Sequence, residues 1–169
     1  MLTKKNIGFI GAGNMGEALI KGLLVSKKIT SAQILIADKV KERLAYIAEH
    51  YGAKVFNKNF EVAKGADVII LAVKPTDVKS VLQEIGYALN KEKLLISIAA
   101  GVPMDFILEC LPHSVPLIRV MPNTPALVLE GAVGICSGQG VSIKDKDIAA
   151  AIFEAVGKVV IIENEGLMD

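Results

Sequence analysis

The chain has 169 residues, enough for one domain with a substantial core. Hydrophobic residues make up 52% and aromatics 5%, with no Trp, a mixture that suits buried parallel strands under helices. With 19 basic and 18 acidic side chains the net charge is +1, which offers neither nucleic acid nor a membrane surface a charged face.

The stretch Lys5 to Gly16, KNIGFIGAGNMG, organises the rest of the chain. Ile7, Phe9 and Ile10 form an apolar run that ends on Gly11, and Gly11, Gly13 and Gly16 then come as G-x-G-x-x-G. Beyond Gly16, Ala18, Leu19, Gly22 and Leu23 recur at helical spacing. A strand, a tight turn and a helix give the glycine pattern its meaning as a dinucleotide-binding loop; without them it marks an ordinary turn. Gly11 permits the turn, Gly13 lets a pyrophosphate approach the backbone, and Gly16 lets the helix pack close. The helix N-terminus offers unpaired N–H groups and a partial positive charge.

Along the chain, Ile34 to Ala37 reads as the second strand and Lys39 to His50 as a charged helix stopped by Tyr51-Gly52. Ala53 to Phe56 is a short strand and Phe60 to Lys64 a short helical piece. Asp67 to Val73, DVIILAV, is a central buried strand. Pro75 opens a helix that runs to about Leu89. Leu94 to Ile98 is the fifth strand, Pro103 to Leu111 a helix and Leu117 to Val120 the sixth strand. Pro122 to Pro125 is a loop, and two further strands, Ala132 to Cys136 and Val159 to Ile162, flank a helix over Lys144 to Val156. Strands alternating with helices predict a Rossmann-type, doubly wound α/β fold, a mainly parallel sheet of about eight strands with helices on both faces.

In such a sheet ligands bind outside the carboxyl ends of the strands, where the strand order reverses. After the second strand stands Asp38, about 20 residues beyond Gly16, where an acid holds ribose hydroxyls. The same residue reads equally well as a helix cap. Lys39, Lys41 and Arg43 come next, either to take a 2′-phosphate or as helix surface. Ala72, Val73, Lys74 and Pro75 end the fourth strand; Ile98, Ala99, Ala100 and Gly101 end the fifth; Asn123 and Thr124 sit between prolines after the sixth. His50 and His113 lack partners for catalysis and read as surface or structural residues, and no cluster has metal spacing. Cys110 and Cys136 lie far apart and read as free thiols of a reducing, cytoplasmic compartment. The amino terminus reads neither as a signal peptide nor as a membrane span.

Five motifs in order, GFIGAGNMGEALI (Gly8 to Ile20), AVKP (Ala72 to Pro75), SIAAG (Ser97 to Gly101), RVMPNTP (Arg119 to Pro125) and the closing ENEGLMD, resemble pyrroline-5-carboxylate reductase. The resemblance implies NAD(P)H-dependent reduction of 1-pyrroline-5-carboxylate to L-proline, with NADP as cofactor and NAD possible. By resemblance, Ile10, Gly11, Ala12, Gly13, Asn14 and Met15, with Gly16, hold the pyrophosphate, Lys39 lies near the adenosine ribose and its 2′-phosphate, and Asn59 near the adenine. Ala72 to Pro75 and Ile98 to Ala100 line the ribose and nicotinamide, and Asn123 and Thr124 sit near the reacting end. The family continues into a helical domain that makes the homo-oligomer and supplies much of the substrate pocket. On that comparison residues 1–163 are the NAD(P)-binding domain, 164–169 begin a connection, and no catalytic residue is assigned. A related hydroxyacid dehydrogenase or imine reductase, or a non-catalytic NAD(P) sensor, remains the alternative.

Overall fold

Residues 2–168 are described by a computed structural model. Eight strands form one sheet: β1 (Ile7–Ile10), β2 (Ile34–Ala37), β3 (Lys54–Phe56), β4 (Val68–Leu71), β5 (Leu94–Ser97), β6 (Leu117–Pro122), β7 (Gly131–Ser137) and β8 (Gly157–Ile161). Their spatial order is β3-β2-β1-β4-β5-β6-β7-β8. Every neighbouring pair is parallel except β6 and β7. The helices are α1 (Asn14–Val25), α2 (Lys41–Tyr51), α3 (Asn59–Gly65), α4 (Val78–Ile85), α5 (Met104–Glu109) and α6 (Ile143–Phe153).

The strands β1, β2, β4 and β5 are buried at every position, because helices cover both faces. Alternate side chains serve opposite layers. Ile7, Phe9, Ile34, Ile36, Val68 and Ile70 pack against Leu19 and Leu23 of α1, Leu44 and Ile47 of α2 and Ile152 of α6. Ile10, Leu35, Ile69, Leu71 and Leu95 pack against Val62 of α3, Val78 and Leu82 of α4 and Ile107 of α5.

The expected elements are all present, and their ends differ for local reasons. The helix read from Lys39 begins at Lys41, because Asp38 Oδ1 accepts the Val40 N–H (2.8 Å) and spends Lys39 and Val40 on a turn. The helix read from Pro75 to Leu89 is a 3-10 turn (Pro75–Asp77), then α4, then a second 3-10 turn (Gly86–Ala88). β6 runs two residues further than expected, to Pro122, because it pairs antiparallel with β7 as far as Val133. The chain closes in a 3-10 turn, Glu165–Leu167, fastened to the body where Glu165 Oε1 accepts the Met104 N–H (2.8 Å).

Candidate dinucleotide site

The chain leaves β1 outward to β2 and β3, then returns to β4 on the other side of β1, which places the switch point between β1 and β4. The register fixes which residues meet there. Ile10 is level with Ala37 on one side and Leu71 on the other, so Gly11, Asp38 and Ala72 emerge together. Gly11 has φ +106°, and a Cβ on it would stand 2.3 Å from the Ala72 carbonyl oxygen. Only glycine allows β1 to turn against β4 in this way. Gly13 faces open space, with no atom within 4 Å of the place its Cβ would take. The close approach read for Gly16 is to the Gly11 carbonyl, 2.8 Å from its would-be Cβ, so α1 packs on the turn rather than on the strand.

A cleft of about 420 Å³ opens at this point, walled by Gly11, Gly13, Asp38, Lys39, Asn59, Ala72, Val73 and Lys74. These sequence-assigned residues from four separate stretches are therefore brought together. Asp38 does two things at once: Oδ2 accepts the Ala12 N–H (2.6 Å) while Oδ1 holds Val40. Val40 rather than Asp38 is the N-cap of α2, so the carboxylate is a brace between β1 and β2 and not a helix cap. Each carboxylate oxygen accepts more than one hydrogen bond, so ribose hydroxyls can still be received. The first intrahelical bond of α1 runs from the Glu17 N–H to the Gly13 carbonyl (2.9 Å), which leaves the amides of Asn14, Met15 and Gly16 ahead of the ladder, where anions are favoured.

Lys39 reaches across the cleft mouth to Asp77 Oδ2 (2.8 Å), and this bond holds its ammonium above the ordinary lysine range. Asn59 Nδ2 donates to Glu84 Oε2 (2.8 Å). Asp77, Ser80, Val81 and Glu84, with Val40, complete the wall, and none was singled out from the sequence. The signal was present: positions 77, 81 and 84 recur at helical spacing on one face, just after a strand end.

Other assigned residues lie elsewhere. Ile10 and Ala12 are fully buried, Met15 packs on the core, and Asn14 faces a shallow depression on the far side of α1 with Glu17 and Tyr51. Pro75 is exposed at the start of its turn. Ile98, Ala99 and Ala100 come after β5, whose Ser97 is level with Leu71, so they stand along the same rim beyond the cleft. Asn123 and Thr124 stand further out, because β6 is longer; Asn123 Oδ1 there accepts the Ala132 N–H (2.8 Å) and shapes the turn into β7.

A larger cavity of about 710 Å³ lies between α5, the start of β6 and the Glu163–Glu165 segment. In its wall Glu165 pairs with the buried Arg119 (3.1 Å) and holds Met104. Among the described residues no group of three or more His, Cys, Asp or Glu is placed to hold a metal ion, and no helix is long and apolar enough to cross a membrane.

The sheet order and the open cleft at its switch point are those of the Rossmann class. The family model described as NADP oxidoreductase, coenzyme F420-dependent, matches residues 6–101, and the chain belongs to that family. Over 159 residues it is 39% identical to the pyrroline-5-carboxylate reductase of Escherichia coli, covering 94% of this chain and 59% of that protein. A pyrroline-5-carboxylate reductase from Coxiella burnetii superposes with a TM-score of 0.94 at 33% identity, over 98% of this chain and 62% of that one. The Plasmodium falciparum pyrroline carboxylate reductase, solved with NADP bound, gives 0.86 at 32% identity, over 97% and 60%. The chain thus spans about three fifths of the relatives it matches.

Proposed function

We propose that this chain is the cofactor-binding part of an enzyme that reduces 1-pyrroline-5-carboxylate to L-proline, with NADP as the principal cofactor and NAD as a possible one. The observation that carries the reading is the open cleft at the switch point, walled by the glycine loop, Asp38 and Lys39 in a chain similar to a reductase solved with NADP. The residues fit such a group, because the space above Gly13 is vacant and a branched side chain would fill it. The amides at the start of α1 would receive the pyrophosphate. Asp38 would take ribose hydroxyls, Lys39 a 2′-phosphate, and Asn59 would lie near the adenine. When bound, the dinucleotide supplies the hydride that reduces the imine carbon. The chain's own part is to bind and orient, which is most of what such a transfer asks of a protein.

In this reading residues 1–163 form the NAD(P)-binding domain and 164–169 begin the connection onward. The remaining two fifths of the relatives' length carries the substrate-closing surface and the homo-oligomer contact. The setting is cytoplasmic, which suits two free cysteines, one of them buried. Calorimetric titration with NADPH and NADH, paired with a proline-formation assay on the same preparation, tests it. The expected outcome is saturable binding with negligible turnover, since an open site forfeits much of the roughly 7–11 kcal/mol that alignment supplies. Absence of binding overturns the cofactor reading, and robust turnover overturns the division of labour. A chain joined to its helical partner segment that binds NADPH yet forms no proline would instead support a sensing module.

A further inference from the structure

We infer that Arg43 is a positioning residue of the phosphate loop, acting on the pyrophosphate of either dinucleotide rather than on a 2′-phosphate. The inference rests on the dinucleotide reading of the cleft and adds to it a residue outside that cleft.

Ala12 is the fully buried middle of the Gly11–Gly13 turn. Its N–H donates to Asp38 Oδ2 (2.6 Å), and its carbonyl accepts from Arg43 Nε (2.5 Å). The loop is thus gripped on both sides of one residue, by the end of β2 and by the first turn of α2. Arg43 is in turn held from behind. Its Nη2 pairs with Glu17 in the first turn of α1, and its guanidinium lies over the Tyr46 ring, 5.1 Å from the centroid. Glu17 Oε1 accepts the Tyr51 hydroxyl (2.7 Å) from the last residue of α2. Loop, α1 and α2 are tied in a closed ring, and Arg43 is the member that touches all three. Its Nε donates to Ala12 and its Nη2 to Glu17, and the side chain is no part of the cleft wall. A lysine cannot make both contacts, since it presents one point charge rather than a planar fork.

Two effects on an anion result. The Ala12 clamp sets the direction of the Gly13 peptide and the approach to the α1 amides. The Arg43 charge also offsets Glu17, a carboxylate in the first turn of the helix whose N-terminus is to receive phosphate. Both effects reach the pyrophosphate, which NAD and NADP share, and neither distinguishes the 2′ position.

The test is calorimetry on the 169-residue chain with NADPH, NADH and adenosine 2′-monophosphate, which has no pyrophosphate. Arg43→Met is expected to weaken NADPH and NADH alike by about tenfold, leaving their ratio and the adenosine 2′-monophosphate affinity unchanged. Glu17→Gln loosens the hold on Arg43 but also removes a carboxylate that repels phosphate, so it is expected to change both dinucleotides in the same ratio by a smaller factor than Arg43→Met. The double variant should be no worse than Arg43→Met, because the two residues act in series. Should Arg43→Met lose the folded state, Arg43→Lys and Glu17→Gln carry the same comparison. A loss confined to NADPH and adenosine 2′-monophosphate would make Arg43 a 2′-phosphate reader and overturn the inference. Unchanged affinity for both dinucleotides would overturn it too. Wild-type protein that binds no dinucleotide would overturn the cofactor reading itself, a separate result.

Discussion

The switch point of the sheet and its β6–β8 end place their ion pairs differently. Beside the cleft, Lys39 and Asp77 meet across the mouth with side chains 70% and 33% exposed. At the β6–β8 end, Arg119 is 1% exposed and pairs with Glu165, which is 25% exposed. Exposed pairs contribute little and open readily, so a ligand phosphate can exchange for the Asp77 carboxylate. A pair with its cation buried stays closed, because breaking it leaves the Arg119 charge in a poor solvent. The first arrangement suits a site that admits a ligand, and the second suits a fastener between strand and C-terminal turn.

The hardest way to break this contrast is at the fastener. Glu165→Leu removes the carboxylate that faces Arg119, which is 1% exposed, and is expected to cost about 3–5 kcal/mol of stability, read as a lower denaturation midpoint. Under conditions where the variant is folded, NADPH affinity should match wild type. Weakened cofactor binding with an unchanged midpoint would show that the two regions are not separate. Next in size is Gly13→Val, which places a branched side chain in the vacant space over α1. Its NADPH affinity should fall at least a hundredfold, about 2.7 kcal/mol or more, with the thermal midpoint within a few degrees of wild type.

A smaller effect sharpens the role of the exposed pair. Asp77→Asn frees Lys39 and removes a carboxylate that a 2′-phosphate would approach, so the preference for NADPH over NADH should rise by about fivefold. Asp38→Ser should move the ratio in the same direction while weakening NADH outright. If Asp77→Asn leaves the ratio unchanged, the 2′-phosphate does not meet Lys39 where the pair now lies.

Much of this was legible from residues. Continuous apolar runs such as Val68–Leu71 announced strands buried on both faces, and the glycine spacing announced the turn between β1 and α1. The antiparallel return of β7 was not, because an apolar stretch bounded by turns looks the same in either direction. The cleft's near wall was legible at the strand ends. Its far wall, formed by Asp77 and α4, is not evident, although Asp77 and Glu84 share a face, because charged positions on a helix ordinarily mean solvent. Arg43 was equally hidden: in sequence it is one of several cations after Asp38, and only the fold turns it toward Ala12.

The smallest effect bears on the ring behind the loop and is read through pH. Burial, and then the bond to Glu17, push the Tyr51 hydroxyl up to about 12 from an ordinary 10. Burial alone would raise the Glu17 carboxyl, but the Tyr51 and Arg43 hydrogen bonds and the Arg43 charge outweigh it and hold it below the usual carboxylate range. The unfolded chain releases the tyrosine proton first, so between pH 10 and 12 it binds fewer protons than the folded one and stability falls as pH rises. The Tyr51 contribution is therefore complete below pH 10 and lost on the way to 12. Glu17 behaves oppositely: its contribution is present above the unfolded value of 4.5 and is lost as pH falls through the lowered one. Tyr51→Phe removes the proton at issue and leaves the ring's apolar packing. Its midpoint should sit below wild type at about pH 8, and the two should converge as the pH approaches 12. Parallel profiles over that span would mean that the Tyr51–Glu17 bond does not brace the loop in solution.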